Sequence, residues 1–248
     1  MNFRTVTINL LLTTLSGGIL MQTLEAQAAA ITFGAWNLNP ATVTTTSSFA
    51  TGQGNATPTT LKALAEATAT NNPLSWAGEA ARTVVSLSNF FTVTAETGEN
   101  NGDQVRGVLS GRLEGVLGGS VEDVTTEGFY ASLVVASVNA GFASWNSGLG
   151  TFVGNDQDPL PRIVNQLFNQ EGVLTIGQQY QFNMSLEVTG VTTGYAQAFS
   201  NFSGNGQGFT VDIQTEPVPE PLTMLASATA LGFGALLKRQ NSKKLKKS

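Results

Sequence analysis

Two short stretches gather the oxygen donors that hard cations prefer. Asn155-Asp156-Gln157-Asp158 and Glu96 to Asp103 (ETGENNGD) each place carboxylates and amides close together. Calcium takes several oxygen ligands, and its concentration outside cells suits modest sites. Asp156 and Asp158 are therefore candidate calcium ligands. ETGENNGD is not an EF-hand, because Val108 would fall where that loop requires a bidentate carboxylate. The plainer reading of both stretches is a solvated acidic turn, so no cofactor is expected beyond that calcium candidate.

Hydrolysis of a glycosidic bond needs two carboxylates across a cleft. The densest acidic cluster is Glu114, Glu122, Asp123 and Glu127, of which the last three read as an ordinary polar turn. The chain contains no cysteine and no histidine. That removes the thiol nucleophile, the cysteine metal site and the side chain that titrates near neutral pH. No nucleophile elbow, phosphate loop or histidine–zinc motif is present. The chain reads as a non-enzyme, with a glycan-active hydrolase as the third choice.

Trp36, Trp76 and Trp145 suggest a different chemistry. Sugars present apolar ring faces that stack on aromatic side chains, while amides bond their hydroxyls. Trp145-Asn146-Ser147-Gly148 offers that mixture in an expected loop, so Trp145 and Asn146 are candidate glycan contacts. Core packing is the competing role for Trp145.

The elements that would position these residues are mainly strands. Apolar residues alternate with polar ones along Val85–Ala95, Val105–Leu117 and Tyr180–Thr189, the pattern of strands with one face buried and one wet. Phe129–Ala140 is apolar on both faces and reads as a central strand; Gly194–Phe202 and Phe209–Gln214 complete the set. ETGENNGD, Gly118-Gly119 and SGNGQG (Ser203–Gly208) read as tight connectors. Glycines 107, 111 and 115 are unusual inside one strand. Large residues of the facing sheet are expected to fill the gaps, with Phe129, Phe142, Phe182 and Phe199 as candidates. Thr42–Ser48 and the TGQGNATPTT that follows read as loop or sheet edge.

Two segments carry helical spacing. In LKALAEATA, Leu61, Leu64, Ala65 and Thr68 share a face and Asn71-Asn72-Pro73 stops it. Asp158-Pro159 makes an N-cap and first turn for Leu160, Ile163, Val164, Leu167 and Phe168, with Gly172 past the end. The expected fold class is all-β and mainly antiparallel: one β-sandwich or jelly-roll-like domain over residues 31–215, with one or two short helices.

Charge is sparse and uneven. Charged residues make up 12% of the chain, about half the usual share. Between Ile31 and Glu220 five basic residues face 16 acidic ones, all but Glu25 of the chain's 17, so this body carries −11. It should repel nucleic acid and anionic membranes. No nucleic-acid partner is expected.

The two ends read as addresses. Residues 1–30 combine Arg4, an apolar stretch from Val6 to Met21 and small residues before a cut, the three parts of a secretory signal. Cleavage is expected after Ala28 or Ala30. Residues 216–248 hold a short linker, then Val218-Pro219-Glu220-Pro221, then the uncharged run Leu222–Leu237 and a basic tail beginning Lys238-Arg239. At about 1.5 Å per residue the run spans roughly 24 Å, short for a bilayer core of about 30 Å. Lys238 and Arg239 can snorkel at its end, and the positive-inside rule leaves the tail cytoplasmic and the body outside.

This ending resembles the PEP-CTERM sorting signal, and ALGFGALLKR (Ala230–Arg239) is similar to its cyanobacterial forms. The resemblance covers the last 31 residues, from Val218 to Ser248. It implies that Pro219-Glu220-Pro221 is recognised by exosortase, a membrane-embedded transpeptidase-like protease. It implies export through the secretion machinery, a transient hold in the membrane by a C-terminal helix, and delivery to the cell envelope or the extracellular matrix. The first expectation for the domain is a structural or adhesive role; the second is a carbohydrate-binding module for the exopolysaccharide it travels with.

Overall fold

The computed structural model describes residues 29–46, 49–69, 78–96, 98–121, 128–153 and 161–216. The leader up to Ala28, Trp76, the cluster Glu122, Asp123 and Glu127, Asp156, Asp158, the motif Val218–Pro221, the apolar run and Lys238-Arg239 lie outside them.

Strand follows strand throughout. The seven-stranded sheet holds β1 (Ala30–Phe33), β2 (Asn37–Leu38), β3 (Thr42–Thr45), β6 (Glu79–Thr94), β8 (Phe129–Asn139), β9 (Ser144–Val153) and β11 (Gln179–Thr193). The six-stranded sheet holds β4 (Ala50–Thr57), β5 (Thr60–Thr68), β7 (Gln104–Val121), β10 (Arg162–Thr175), β12 (Ala196–Phe202) and β13 (Gly208–Glu216). All pairings are antiparallel. The first sheet runs β1-β6-β11-β8-β9, with β2 and β3 also on β6; the second runs β10-β7-β12-β5-β13, with β4 on β5.

Period-two alternation builds the sandwich core. Val85, Leu87, Phe91 and Val93 of β6, Met184, Leu186 and Val188 of β11, and Val134, Ala136 and Val138 of β8 are buried on one side. Leu109, Leu113 and Leu117 of β7 face the same core with Leu61, Phe202 and Phe209. Excluding this apolar surface from water is the dominant favourable contribution to folding. β8 lies between β11 and β9, the interior place that its two apolar faces imply.

Among the described residues there is no helix, and both expected helices are strands. LKALAEATA forms β5, in which Leu61, Ala63, Ala65 and Ala67 all point inward and are buried. Alanine's helix propensity is a weak prior, and pairing with β4 and β12 overrides it. From Arg162 onward the second segment forms β10, whose 14 residues all pair with β7; its expected start at Asp158-Pro159 and Leu160 lies outside the described residues. Val164 and Phe168 face the core, while Ile163 and Leu167 are 77% and 78% exposed. Those outward apolar residues completed a false helical face, and Gly172 lies inside the strand. Gly118-Gly119 is likewise no connector: both residues pair with β12 within β7.

The glycines of β7 are filled, but mostly from within their own sheet. A Cβ on Gly111 would lie 2.3 Å from the Thr210 carbonyl oxygen and 2.4 Å from the Phe168 ring. One on Gly115 would lie 2.4 Å from Phe202. Phe168 and Phe202 belong to the neighbouring strands β10 and β12. Of the four expected phenylalanines, Phe142 reaches Gly107 and Phe199 reaches Gly118. Phe182 instead meets Phe33 and Trp36 edge-on, and Phe129 is not among the atoms that crowd these glycines.

Four buried hydroxyls cross from one sheet to the other. Ser132 of β8 donates to the Gly118 carbonyl at 2.6 Å, Thr83 of β6 to Leu64 at 2.7 Å, Ser200 of β12 to Thr189 at 2.7 Å, and Thr192 of β11 to Ala196 at 2.9 Å. Each satisfies a polar group that would be costly to bury alone.

Candidate functional site

Trp145 lies in β9, not in a loop, and its side chain turns inward. Its ring stacks on Phe168 at 4.4 Å with a 12° interplanar angle, and Phe209 lies 5.5 Å away. A ring engaged in this way is core and not an open sugar platform. Trp36 stacks on Phe33 at 4.9 Å and also packs against the core. The rings of both described tryptophans are thus engaged by other aromatic rings, although Trp145 is among the residues that line a groove on the outer face of its sheet.

Asn146, the next residue along β9, faces the opposite way. It opposes Ser137 of β8, which opposes Ser185 of β11, which opposes Ser86 of β6. One step along the strands, Ser144, Asn139, Asn183 and Ser88 oppose one another in the same order. The outer face of the seven-stranded sheet thus carries two rows of four hydroxyl or amide side chains. Neighbours in a row are about 4.8 Å apart and the rows about 7 Å apart. With Asn39 at one end they line an open groove of about 470 Å³.

The rows contain no charge. Asn39 donates to the Ser86 hydroxyl at 3.1 Å, and Asn139 accepts from the Gly141 amide at 2.8 Å. Asn183 accepts from Gln181 at 3.4 Å. Glu187, next outward on β11 beyond Ser185, is held by Arg82 through bonds of 2.6 and 2.7 Å. That hydrogen bond, and then the Coulomb attraction to Glu187, raise the Arg82 pKa above its ordinary value.

A second groove, of about 500 Å³, lies on the outer face of the six-stranded sheet and is charged. Glu114 lines it with Asp212, but Glu114 is paired with Arg112 and Asp212 accepts from Gln214 at 2.6 Å. Asp212 opposes Ser110, four residues from Glu114, which puts their Cα atoms about 14 Å apart. Glycoside hydrolysis uses carboxyl groups about 5 to 9.5 Å apart, so this geometry offers no preformed pair.

At the Glu96–Asp103 turn the carboxylates serve the backbone. Glu99 accepts from the Glu96 amide at 2.9 Å and Asp103 from the Asn100 amide at 2.8 Å. Gly98 and Gly102, at φ of 99° and 98°, supply the left-handed conformations of the turn. Among the described residues no three acidic side chains gather as a metal site.

Ala30, one of the two expected leader cleavage positions, opens β1 and pairs with Thr94. Ala29 before it is 3% exposed and packs in the core. Sequence reasoning found Asn146 but not its row, because the opposing Ser and Asn residues are scattered over four strands and meet only through the register. Comparison with protein-family models, curated proteins and solved structures yields no match to this chain.

Proposed function

We propose that this chain is an exported surface protein, processed by exosortase and displayed in the envelope or extracellular matrix, where its β-sandwich has a structural or adhesive role. The observation that carries this reading is the order of its parts: a leader, one folded unit, a Pro-Glu-Pro elbow, an apolar run and a basic tail. The described folded unit, Ala29–Glu216, begins and ends where the two address segments are read in the sequence.

The fold also favours one leader cleavage over the other. A cut after Ala28 keeps Ala29, whose carbonyl accepts a bond from Thr215 and whose methyl packs in the core. A cut after Ala30 removes both contacts. Fractionation of producing cells tests the whole reading: the protein should appear in the envelope or medium, and should accumulate unprocessed at the membrane when Pro219-Glu220-Pro221 is changed to alanines.

A second reading, recognition of exopolysaccharide by the domain, is favoured by the place of Asn146 in an uncharged hydroxyl and amide groove.

A further inference from the structure

We propose that the two polar rows form a binding site for a neutral, extended polysaccharide strand lying across β6, β11, β8 and β9. This rests on the glycan-recognition reading above and names its site and ligand class. The two rows themselves carry no aromatic side chain, and Phe90, 50% exposed, stands on the same outward face two residues beyond Ser88; the ligand is read mainly by its hydroxyls.

Free bonding capacity is the first argument. Ser88, Ser137, Ser144, Asn146 and Ser185 make no side-chain hydrogen bond within the described residues, whereas Ser86, Asn139 and Asn183 are already oriented by protein partners. Hydroxyls and amides both donate and accept, as sugar hydroxyls do. A ligand with many such groups can satisfy the rows without bringing charge.

The residue choice is the second. Asparagine is depleted from strands, yet Asn146 and Asn183 occupy positions inside strands here. Local preference is set aside most often where a site needs a particular chemistry. Threonine or valine would have served the sheet better.

The third is the shelf beside the rows. Val135 and Leu133, 42% and 46% exposed, follow Ser137 on the same outward face of β8. Val135 opposes Gly148 on β9, where a Cβ would meet nothing within 4 Å. The missing side chain leaves the aliphatic surface open to the C–H face of a sugar ring. The recurring cross-strand spacing of about 4.8 Å suits a ligand that repeats its hydroxyls along its length, and thus a polymer in preference to a single small molecule.

Charge sets the specificity. No cation lines the groove, and Arg82 is occupied by Glu187. Polyanionic glycans have no counter-charge there.

Affinity electrophoresis of the full chain in detergent, through gels containing hydroxyethyl cellulose, galactomannan, dextran or alginate, tests the site. At least one neutral polymer should retard the chain and alginate should not. Ser137→Glu, at the centre of the rows, should weaken retardation about tenfold or more by adding an unpaired charge and removing a hydroxyl. Thr210→Glu, on the other sheet's outer face, should leave it unchanged. If Ser137→Glu loses its strand spectrum, Asn146→Ala on the exposed edge strand takes its place with the same expected direction. Three results overturn the proposal: no retardation by any neutral polymer, retardation by alginate alone, or retardation that survives both groove variants. Binding by the purified chain does not depend on the leader or tail, so a negative result leaves export standing, and a failure of export leaves the groove standing.

Discussion

The Thr215 hydroxyl donates a hydrogen bond to the carbonyl oxygen of Ala29, 186 residues earlier in the chain. It ties the end of β13 to the residue before β1, and so joins the last strand of one sheet to the first strand of the other. Thr215→Val keeps the shape and removes the donor. The expected cost is about 1 kcal/mol, read as a lower denaturation midpoint, with faster amide exchange concentrated in Ala30–Phe33. Exchange that stays unchanged in β1 would show that the bond holds nothing.

The cross-sheet hydroxyls should each contribute to stability. Ser132→Ala, Thr83→Val and Ser200→Ala each remove a buried donor and leave its carbonyl acceptor behind. Each should cost about 1 to 3 kcal/mol in denaturant unfolding. The three sites are neighbours, because Thr83 opposes Val188 and Ser132 opposes Gly190 on either side of Thr189, so the losses should be coupled in double variants. Strictly additive losses would show that the three bonds act independently.

Two glycines in strands should respond in opposite ways. Gly111→Ala drives a methyl into the Thr210 carbonyl and the Phe168 ring, and overpacking of this kind costs about 1 to 3 kcal/mol. Gly148→Ala meets open space and should be neutral or stabilise by up to about 1 kcal/mol. Thermal unfolding of both variants is sufficient to check this, and equal effects would contradict the packing described for β7.

Trp145 should matter for stability and not for glycan binding. Phe168→Ala removes the ring stacked on it and should cost about 3 to 5 kcal/mol. The same variant should red-shift the indole emission as water reaches Trp145. Trp145→Phe preserves an aromatic stack and should leave polysaccharide retardation in affinity gels unchanged. Loss of retardation in that variant would restore Trp145 as a sugar contact.

Most strands were legible because a half-buried sheet face imposes a period of two, and β6, β7 and β11 keep it over long stretches. β5 and β10 were misread for a shared reason. Residues such as Leu61 and Ala65, or Val164 and Phe168, lie four apart and satisfy both a helical face and an even strand spacing. The tertiary partner decides between them, and for β10 that partner is Gln104–Leu117 of β7. The grooved site was only partly legible. Asn146 stood out beside a tryptophan, but Ser86, Ser88, Ser137, Asn139, Asn183 and Ser185 are unremarkable in sequence. They become a surface only when three strand registers align them. The inward turn of Trp145 follows from the same registers, since Trp145 opposes the buried Val138.

Mass spectrometry of the protein recovered from the surface and medium of producing cells tests export and processing most directly. The expected species begins at Ala29 and lacks the basic tail that starts at Lys238. An intact chain from Met1 to Ser248, dissolved in the cytosol, would contradict that route.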